Sequence, residues 1–321
     1  MARIDSLYCP FTPKVHSDAA SVHEGSVLWA QSLGLLPTEQ HSRTAYKAKV
    51  GWLVARAFPT AMTDGLQLAA DWTVLFCILD DYIEKLKSAD EVEACLQHLL
   101  DLLRADIAGS SDDPFAMAMM DLRQRLLAMA SPSYVASFAD RLEELFAGNV
   151  AEARHREDAQ ILDVASYVEL RQVTIGLQVM FVLAELAEGL SLPDDTREHP
   201  ALKKLAARTT HIVAWANDLF TYEKEILQGE VHNLVLVLMN ERRLTITEAV
   251  TEVAAIHDSE VYSFLQEVEQ LPSLGLAGAS VRRYVDMLGC WIRGHLDWAH
   301  ETGRYRPFDE PAGEPTTPTA S

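Results

Sequence analysis

Cysteine is scarce and scattered in this chain. The four residues, Cys9, Cys77, Cys95 and Cys290, fall in no Cys-x-x-Cys or Cys/His spacing, which argues against a zinc ribbon or a redox pair and reads as reduced core thiols. Positive charge is short as well: 27 Lys and Arg face 47 Asp and Glu, a balance of 27 − 47 = −20, with a pI near 4.9. A nucleic-acid duplex or an anionic membrane surface would be repelled by that field, so no nucleic-acid partner is expected. No uninterrupted run approaches the ~20 apolar residues of a membrane span, and the opening "MARIDSLYCPF" lacks a basic region followed by an apolar one. The expectation is a cytoplasmic protein with no stable membrane insertion. Strand-like alternation is nearly absent, no Gly/Ser or Pro-rich linker divides the chain, and no repeat of fixed period is visible.

What is there is helix. The chain has 321 residues, 49% of them hydrophobic, enough for a sizeable core. Apolar residues recur at helical spacing, as in Leu66, Ala70, Val74 and Cys77, or Leu202, Leu205, Ile212 and Trp215. Ser88 with Glu91 and Ser166 with Glu169 fit capping boxes, Pro200 suits a first turn, and Gly148, Gly189 and Gly229 read as stops. The reading is all-α, one domain over residues 1–321, with a core from about 22 to 306. The stretch before Val22 is placed outside that core, and the Pro/Thr-rich tail 307–321 reads as disordered.

Against this apolar background two polar clusters stand out. In "FCILDDYIEK" a buried helix runs into Asp80, Asp81 and Glu84, at the end where the helix dipole disfavours anions. A spacing of four puts Asp80 and Glu84 on one face, while Asp81 points about 100° away. Alone, this pattern fits a hydrated helix end with Lys85 and Lys87 beside it. The pairs Asp112–Asp113 and Asp194–Asp195 lie in turn-like sequence and are set aside. In "AWANDLFTYEKEILQGE", Asn217, Thr221 and Glu225 follow one another at spacings of four, bringing an amide oxygen, a hydroxyl and a carboxylate along roughly 12 Å of one helix face. These are hard oxygen ligands suited to Mg²⁺, which keeps waters and completes its shell with phosphate oxygens. Lys224 stands beside Glu225 to meet such a phosphate.

The two clusters together resemble a known pattern. "DDYIE" resembles the aspartate-rich motif of class I terpene synthases, and "NDLFTYEKE" is similar to their second metal motif, N-D-x-x-S/T-x-x-x-E. The resemblance spans most of the chain, from about Tyr8 to Phe308, in the length and motif order of bacterial single-domain members. Arg171 lies 46 residues before Asn217, where such enzymes carry a diphosphate-sensing arginine, and Arg304–Tyr305 in "GRYRP" is similar to their C-terminal Arg-Tyr pair. Two departures are Glu84 in place of Asp and Thr221 in place of the commoner Ser. A third is that Thr174, Ile175 and Gly176 stand where the family often places an acidic linker and a small effector residue.

The resemblance implies an antiparallel helical bundle with the active-site cavity in its core. It implies metal-triggered ionisation of a prenyl diphosphate, cyclisation of the carbocation and release of diphosphate. Three Mg²⁺ ions would be held by Asp80 with Glu84 and by Asn217, Thr221 and Glu225. Arg171, Lys224, Arg304 and Tyr305 would bind the diphosphate, and Asp81 would pair with an arginine such as Arg304. Phe58, Phe76, Phe181, Trp291 and Trp298 are candidates for an aromatic wall that stabilises positive charge. No base is assigned among His232, His295 and His300, since diphosphate or water can accept the final proton. Farnesyl diphosphate and a cyclic sesquiterpene hydrocarbon or alcohol are expected, with geranylgeranyl diphosphate and a diterpene next. A homodimer through outer helices is common among these relatives. A chain-elongating prenyl transferase would carry a second Asp-rich motif where this chain has N-D-x-x-T-x-x-x-E. A non-catalytic helical interaction protein would show no stabilisation by Mg²⁺ with diphosphate.

Overall fold

The computed structural model describes residues 7–105 and 111–305. Among them there is no strand, and the order of helices is α1 (Ala19–Ser32), α2 (Glu39–Ala48), α3 (Val50–Ala57), α4 (Thr63–Ile83), α5 (Ala89–Arg104), α6 (Pro114–Met129), α7 (Pro132–Glu157), α8 (Val164–Thr174), α9 (Leu177–Ala187), α10 (Asp194–Arg197), α11 (Pro200–Gln228), α12 (Leu234–Arg242), α13 (Ile246–Gln270) and α14 (Ala279–Glu301). The all-α expectation holds. The tail 307–321 lies outside the described residues.

Several predicted helix ends are where the residue chemistry puts them. Pro200 opens α11, whose C-cap Gly229 takes φ +75°, and Gly189 follows α9 at φ +59°, both conformations that suit glycine. Ser88 caps α5 by accepting from the Glu91 amide at 3.2 Å, but the Glu91 carboxylate returns to the amide of Lys87 rather than of Ser88. The Ser166–Glu169 box does not form, because α8 begins earlier and Asp163 takes the cap, accepting from the Ser166 amide at 2.7 Å. A complete box stands instead at Thr245 and Glu248. Gly148 is no stop: it lies inside α7, where a Cβ would meet Thr174 Cγ2 at 2.9 Å, so its bare backbone lets α8 pack close.

The buried side chains form two apolar groups. In the smaller one, Tyr167, Trp215, Leu219, Leu234, Val235 and Val253 pack α8, α11, α12 and α13 together. Each such side chain contributes about 1.5–3 kcal/mol relative to exposure. α11 is buried at intervals from Leu202 to Tyr222 and only then emerges, so its last two turns leave the core carrying Glu225. The described part of the N-terminal stretch, from residue 7, belongs to the body rather than lying outside it: Tyr8 stacks on Tyr262 at 4.4 Å, Phe11 meets Phe264 edge-on at 5.6 Å, and the His16 amide donates to the Ala55 carbonyl. Its mixed polarity hid this, because two aromatic side chains make the contact.

One segment, Val164–Ala187, is long and apolar enough to cross a membrane by length and composition, although Glu169, Arg171 and Glu185 interrupt it. In the fold it is two helices, α8 and α9, broken at Gly176 with φ +75°. It also carries Arg171 in an ion pair with Asp218 at 2.9 Å.

Gly51 marks where α3 crosses α1, and a Cβ there would lie 2.5 Å from the His23 Cα. Gly51→Ala is therefore expected to cost about 1–3 kcal/mol through overpacking, read as a lower urea midpoint at unchanged slope; a midpoint equal to the parent's would contradict the close crossing.

Candidate active site

The last turn of α4 carries Asp80 and Asp81, and Glu84 is its C-cap. Arg304 binds Asp81 through both guanidinium nitrogens, Nη1 to Oδ2 at 2.8 Å and Nη2 to Oδ1 at 3.0 Å, and Nη2 reaches Asp80 Oδ2 at 3.3 Å. Such fork-to-fork pairing fixes direction as well as charge. The arginine is brought there by a strap after α14. Trp298 Nε1 and Thr302 Oγ1 both donate to the Ala48 carbonyl at 2.8 Å, and the Gly303 amide donates to the Lys47 carbonyl at 2.8 Å. Both acceptors belong to the corner between α2 and α3, which Lys49 turns at φ 52°.

α11 supplies the second polar face. Asn217 donates from Nδ2 to Tyr305 Oη at 2.6 Å and accepts at Oδ1 from Arg171 Nη2 at 2.5 Å. Thr221 Oγ1 donates to the Asn217 carbonyl at 3.0 Å and accepts from Asn233 Nδ2 at 3.4 Å, and the same Asn233 amide donates to Glu225 Oε2 at 2.8 Å. Arg171 is fixed by Asp218, whose Oδ1 accepts from Nε at 3.1 Å and from Nη2 at 2.9 Å, while Oδ2 accepts from Tyr167 Oη at 2.7 Å and the Leu234 amide at 2.9 Å.

The two faces open onto one cavity of about 470 Å³, within the usual range for small-molecule sites, about 300–1,000 Å³. It is graded along the helices. Asp80 and Glu84 on α4, Asn217, Thr221, Lys224 and Glu225 on α11, and Arg171, Arg304 and Tyr305 line the polar end. Thr73 and Phe76 on α4, Leu145 and Phe146 on α7, Leu177 and Met180 on α9, Val213 on α11 and Trp291 on α14 give a largely apolar wall, while Asn149, Glu152 and Arg156 on α7 with Glu230 and His232 add further polar groups to the lining. Thr174, Ile175 and Gly176 line it at the break between α8 and α9.

The carboxylates are short of positive charge. Enclosure, reinforced by Asp80 and Asp81, pushes Glu84 up to about 7. Burial and the neighbouring Asp218 push Glu225 up to about 7 against the pull of Arg171. Asp80 is raised too, first by its place at the cavity mouth, where its side chain stays half open to solvent, with Arg304 opposing and Asp81 adding to the shift. A cation between these groups would relieve that excess.

Residues 71–262 match the family model described as terpene synthase family 2, C-terminal metal binding. The chain is 33% identical over 307 residues to the germacrene A synthase of Nostoc punctiforme, covering 94% of this chain and 95% of that one. The chain belongs to the terpene synthase family. The (+)-T-muurolol synthase of Roseiflexus castenholzii, named as (2E,6E)-farnesyl diphosphate cyclizing, is 29% identical to this synthase over 94% of the chain and 93% of its own length. Among solved structures, the linalool/nerolidol synthase of Streptomyces clavuligerus in complex with 2-fluorogeranyl diphosphate superposes with a TM-score of 0.81, at 27% identity, covering 93% of this synthase and 99% of that chain. The SVS_A2 protein from ancestral sequence reconstruction shares the fold with a TM-score of 0.81 at 23% identity, covering 92% of this synthase and 89% of that chain.

Two of the five aromatic candidates do not line the cavity of the synthase. Phe58 is fully buried behind Trp291, edge-on at 5.5 Å. Phe181 is buried on α9 beside Met180, and adjacent residues point about 100° apart on a helix, so Met180 faces the cavity and Phe181 the core. Phe76, Trp291 and Trp298 do line it. Sequence reasoning passed over Asp218 and Asn233, both fully buried. Asp218 was the second letter of the "ND" pair and points away from the metal-type face. Asn233 is an ordinary N-cap of α12, accepting from the Val235 amide at 2.9 Å, and only the fold shows its amide turned onto Thr221 and Glu225.

Proposed function

We propose that this terpene synthase ionises farnesyl diphosphate with Mg²⁺ and cyclises the resulting carbocation to a sesquiterpene. The observation that carries the reading is the gradient of the cavity: two oxygen-bearing helix ends at one end, hydrocarbon and aromatic side chains at the other. Farnesyl is preferred to geranylgeranyl because a relative aligned over nearly the whole chain is named for cyclising it. Four unpaired cysteines suit a cytoplasmic setting.

The donor set fits Mg²⁺. Asp80, Glu84, Asn217, Thr221 and Glu225 offer oxygen ligands only, and all three carboxylates are short of positive charge. Among the described residues no three His, Cys, Asp or Glu side chains gather to hold an ion unaided, in keeping with an ion that relies on water and phosphate oxygens. Three ions, held by Asp80 with Glu84 and by Asn217, Thr221 and Glu225, would supply Lewis acidity where charge develops on the leaving group. Arg171, Lys224, Arg304 and Tyr305 direct N–H and O–H groups toward the diphosphate oxygens. Asp218 holds Arg171 in place, and Asp81 aims Arg304. Phe76, Trp291 and Trp298 line the cavity and supply aromatic rings that can stabilise a cation without forming a bond to it.

Purified protein with Mg²⁺ is expected to convert farnesyl diphosphate to a cyclic sesquiterpene, read by gas chromatography and mass spectrometry, and a chelator should stop it. Asn217→Ala or Glu225→Ala should lower diphosphate release by about 10²–10³ or more. If geranyl, farnesyl and geranylgeranyl diphosphate all remain unconsumed with Mg²⁺ present, the reading fails.

A further inference from the structure

The hydrocarbon end of the cavity closes between α4 and α9. On α4 the lining runs down from Glu84 and Asp80 through Phe76 to Thr73, and among the described residues of that helix none nearer its start borders the space. On α9 it ends in the same way at Met180, one turn past Leu177. Thr73 Oγ1, which donates to the Ala69 carbonyl at 2.7 Å, lies 3.7 Å from Met180 Sδ. The two side chains meet and shut the space.

Past that contact the two antiparallel helices converge. A Cβ on Gly65 would lie 2.7 Å from the Ala187 Cα, and the Met62 amide donates to the Ala187 carbonyl at 3.0 Å. The turns between carry Ala69 and Ala184, both fully buried. α4 and α9 thus form a wedge, narrowest at Gly65 and opening toward Phe76 and Leu177, with Met180 near its apex. The other apolar lining residues are side walls. Leu145 stands level with the break between α8 and α9, where a Cβ on Gly176 would meet its Cδ2 at 3.6 Å, and Trp291 is backed edge-on by Phe58 at 5.5 Å.

Depth then limits the substrate. From Asp80, on the metal-type face, down to Thr73 is about 10 Å of helix rise. A farnesyl main chain, at about 1.2 Å per bond, would run about 13 Å fully extended and a geranylgeranyl chain about 18 Å. Either must bend back from the floor, which is what carries a distal double bond toward the ionised carbon, and the longer chain needs room for one more isoprene unit.

We propose that Met180, resting on Thr73, is the floor that sets the length of prenyl chain the synthase accepts and holds it at farnesyl. The inference rests on the cyclase reading above. Methionine suits the place because its unbranched thioether fills an irregular apex. Thr73→Ala and Met180→Ala together delete as many heavy atoms as one isoprene unit contains, and a single methylene in an apolar pocket already changes selectivity by about 10–200-fold.

The test offers geranyl, farnesyl and geranylgeranyl diphosphate in equal amounts with Mg²⁺ and reads the consumption of each by mass spectrometry, with thermal melts to select folded variants. The parent should consume farnesyl diphosphate at least about tenfold faster than geranylgeranyl diphosphate. In Met180→Ala the ratio of geranylgeranyl to farnesyl consumption should rise at least about tenfold, and further when Thr73→Ala is added. Thr73→Leu should instead raise the ratio of geranyl to farnesyl by about as much. Its added bulk enters the cavity rather than the core, and the Ala69 carbonyl keeps its helical partner, so it serves if the shaved variants do not fold. Phe181→Leu, which loosens the same helix from its core side, should keep both ratios within about threefold of the parent's. Unchanged ratios in folded floor variants overturn the assignment, as does an equal shift in Phe181→Leu, and both leave the cyclase reading standing. A parent that takes geranylgeranyl diphosphate as readily as farnesyl diphosphate overturns it too. A parent that consumes none of the three overturns both readings.

Discussion

Asp218→Asn should both unfold the synthase more easily and silence it. The carboxylate is completely buried and accepts four hydrogen bonds, two from Arg171, one from Tyr167 and one from the Leu234 amide. Removing its charge leaves a mostly buried guanidinium, 13% exposed, without its counter-ion, and breaking such a pair typically costs about 3–5 kcal/mol. That is a large share of the usual total stability of about 5–15 kcal/mol. Arg171 would then lose its hold on Asn217 Oδ1, so diphosphate release should fall together with the urea midpoint. Asp163→Ala, which removes the N-cap of the same helix, α8, is the matched control at about 1 kcal/mol with activity retained. A loss below about 1 kcal/mol in Asp218→Asn would show that the ion pair does not organise this region.

Arg304→Lys should lower turnover by about 10²–10³, although it keeps the charge. The lysine ammonium cannot reproduce the two parallel bonds to Asp81 or the third to Asp80, because its donors radiate from a point rather than a planar fork. If Asp81 acts by aiming Arg304, the losses from Asp81→Asn and Arg304→Lys should not add, and the double variant should be hardly worse than Arg304→Lys alone. Additive losses would mean that Asp81 acts independently of the arginine. Thermal melts should change little in either single variant, since Asp81 and Asp80 are half exposed, at 43% and 54%, and such pairs stabilise weakly.

Much of this site is readable from spacing. Asn217, Thr221 and Glu225 share a face because of the helical period, and Asp81 points away from Asp80 for the same reason, which is how it comes to meet Arg304. Distant residues were harder. Leu145 and Phe146 on α7 carry no polar signature, so nothing in their own sequence distinguishes a cavity wall from core. Phe58 and Phe181 failed as wall residues because aromatic character does not specify direction; one-residue differences in helical phase decide whether a ring faces space or packing. Gly148 misled for a related reason. A glycine that ends a helix and one that admits a neighbouring helix look the same in sequence, and only the approach of Thr174 tells them apart.

The corner between α2 and α3 extends this beyond the cavity. Two carbonyls there, of Lys47 and Ala48, receive three hydrogen bonds, one from Trp298 in the last turn of α14 and two from the strap that carries Arg304 and Tyr305. Drift at this corner, away from the cavity lining and some 250 positions from the strap it holds, would retune how the leaving group is gripped without altering any residue that touches it. Relatives that share every motif residue could therefore differ in reaction rate through a turn that no motif comparison would include.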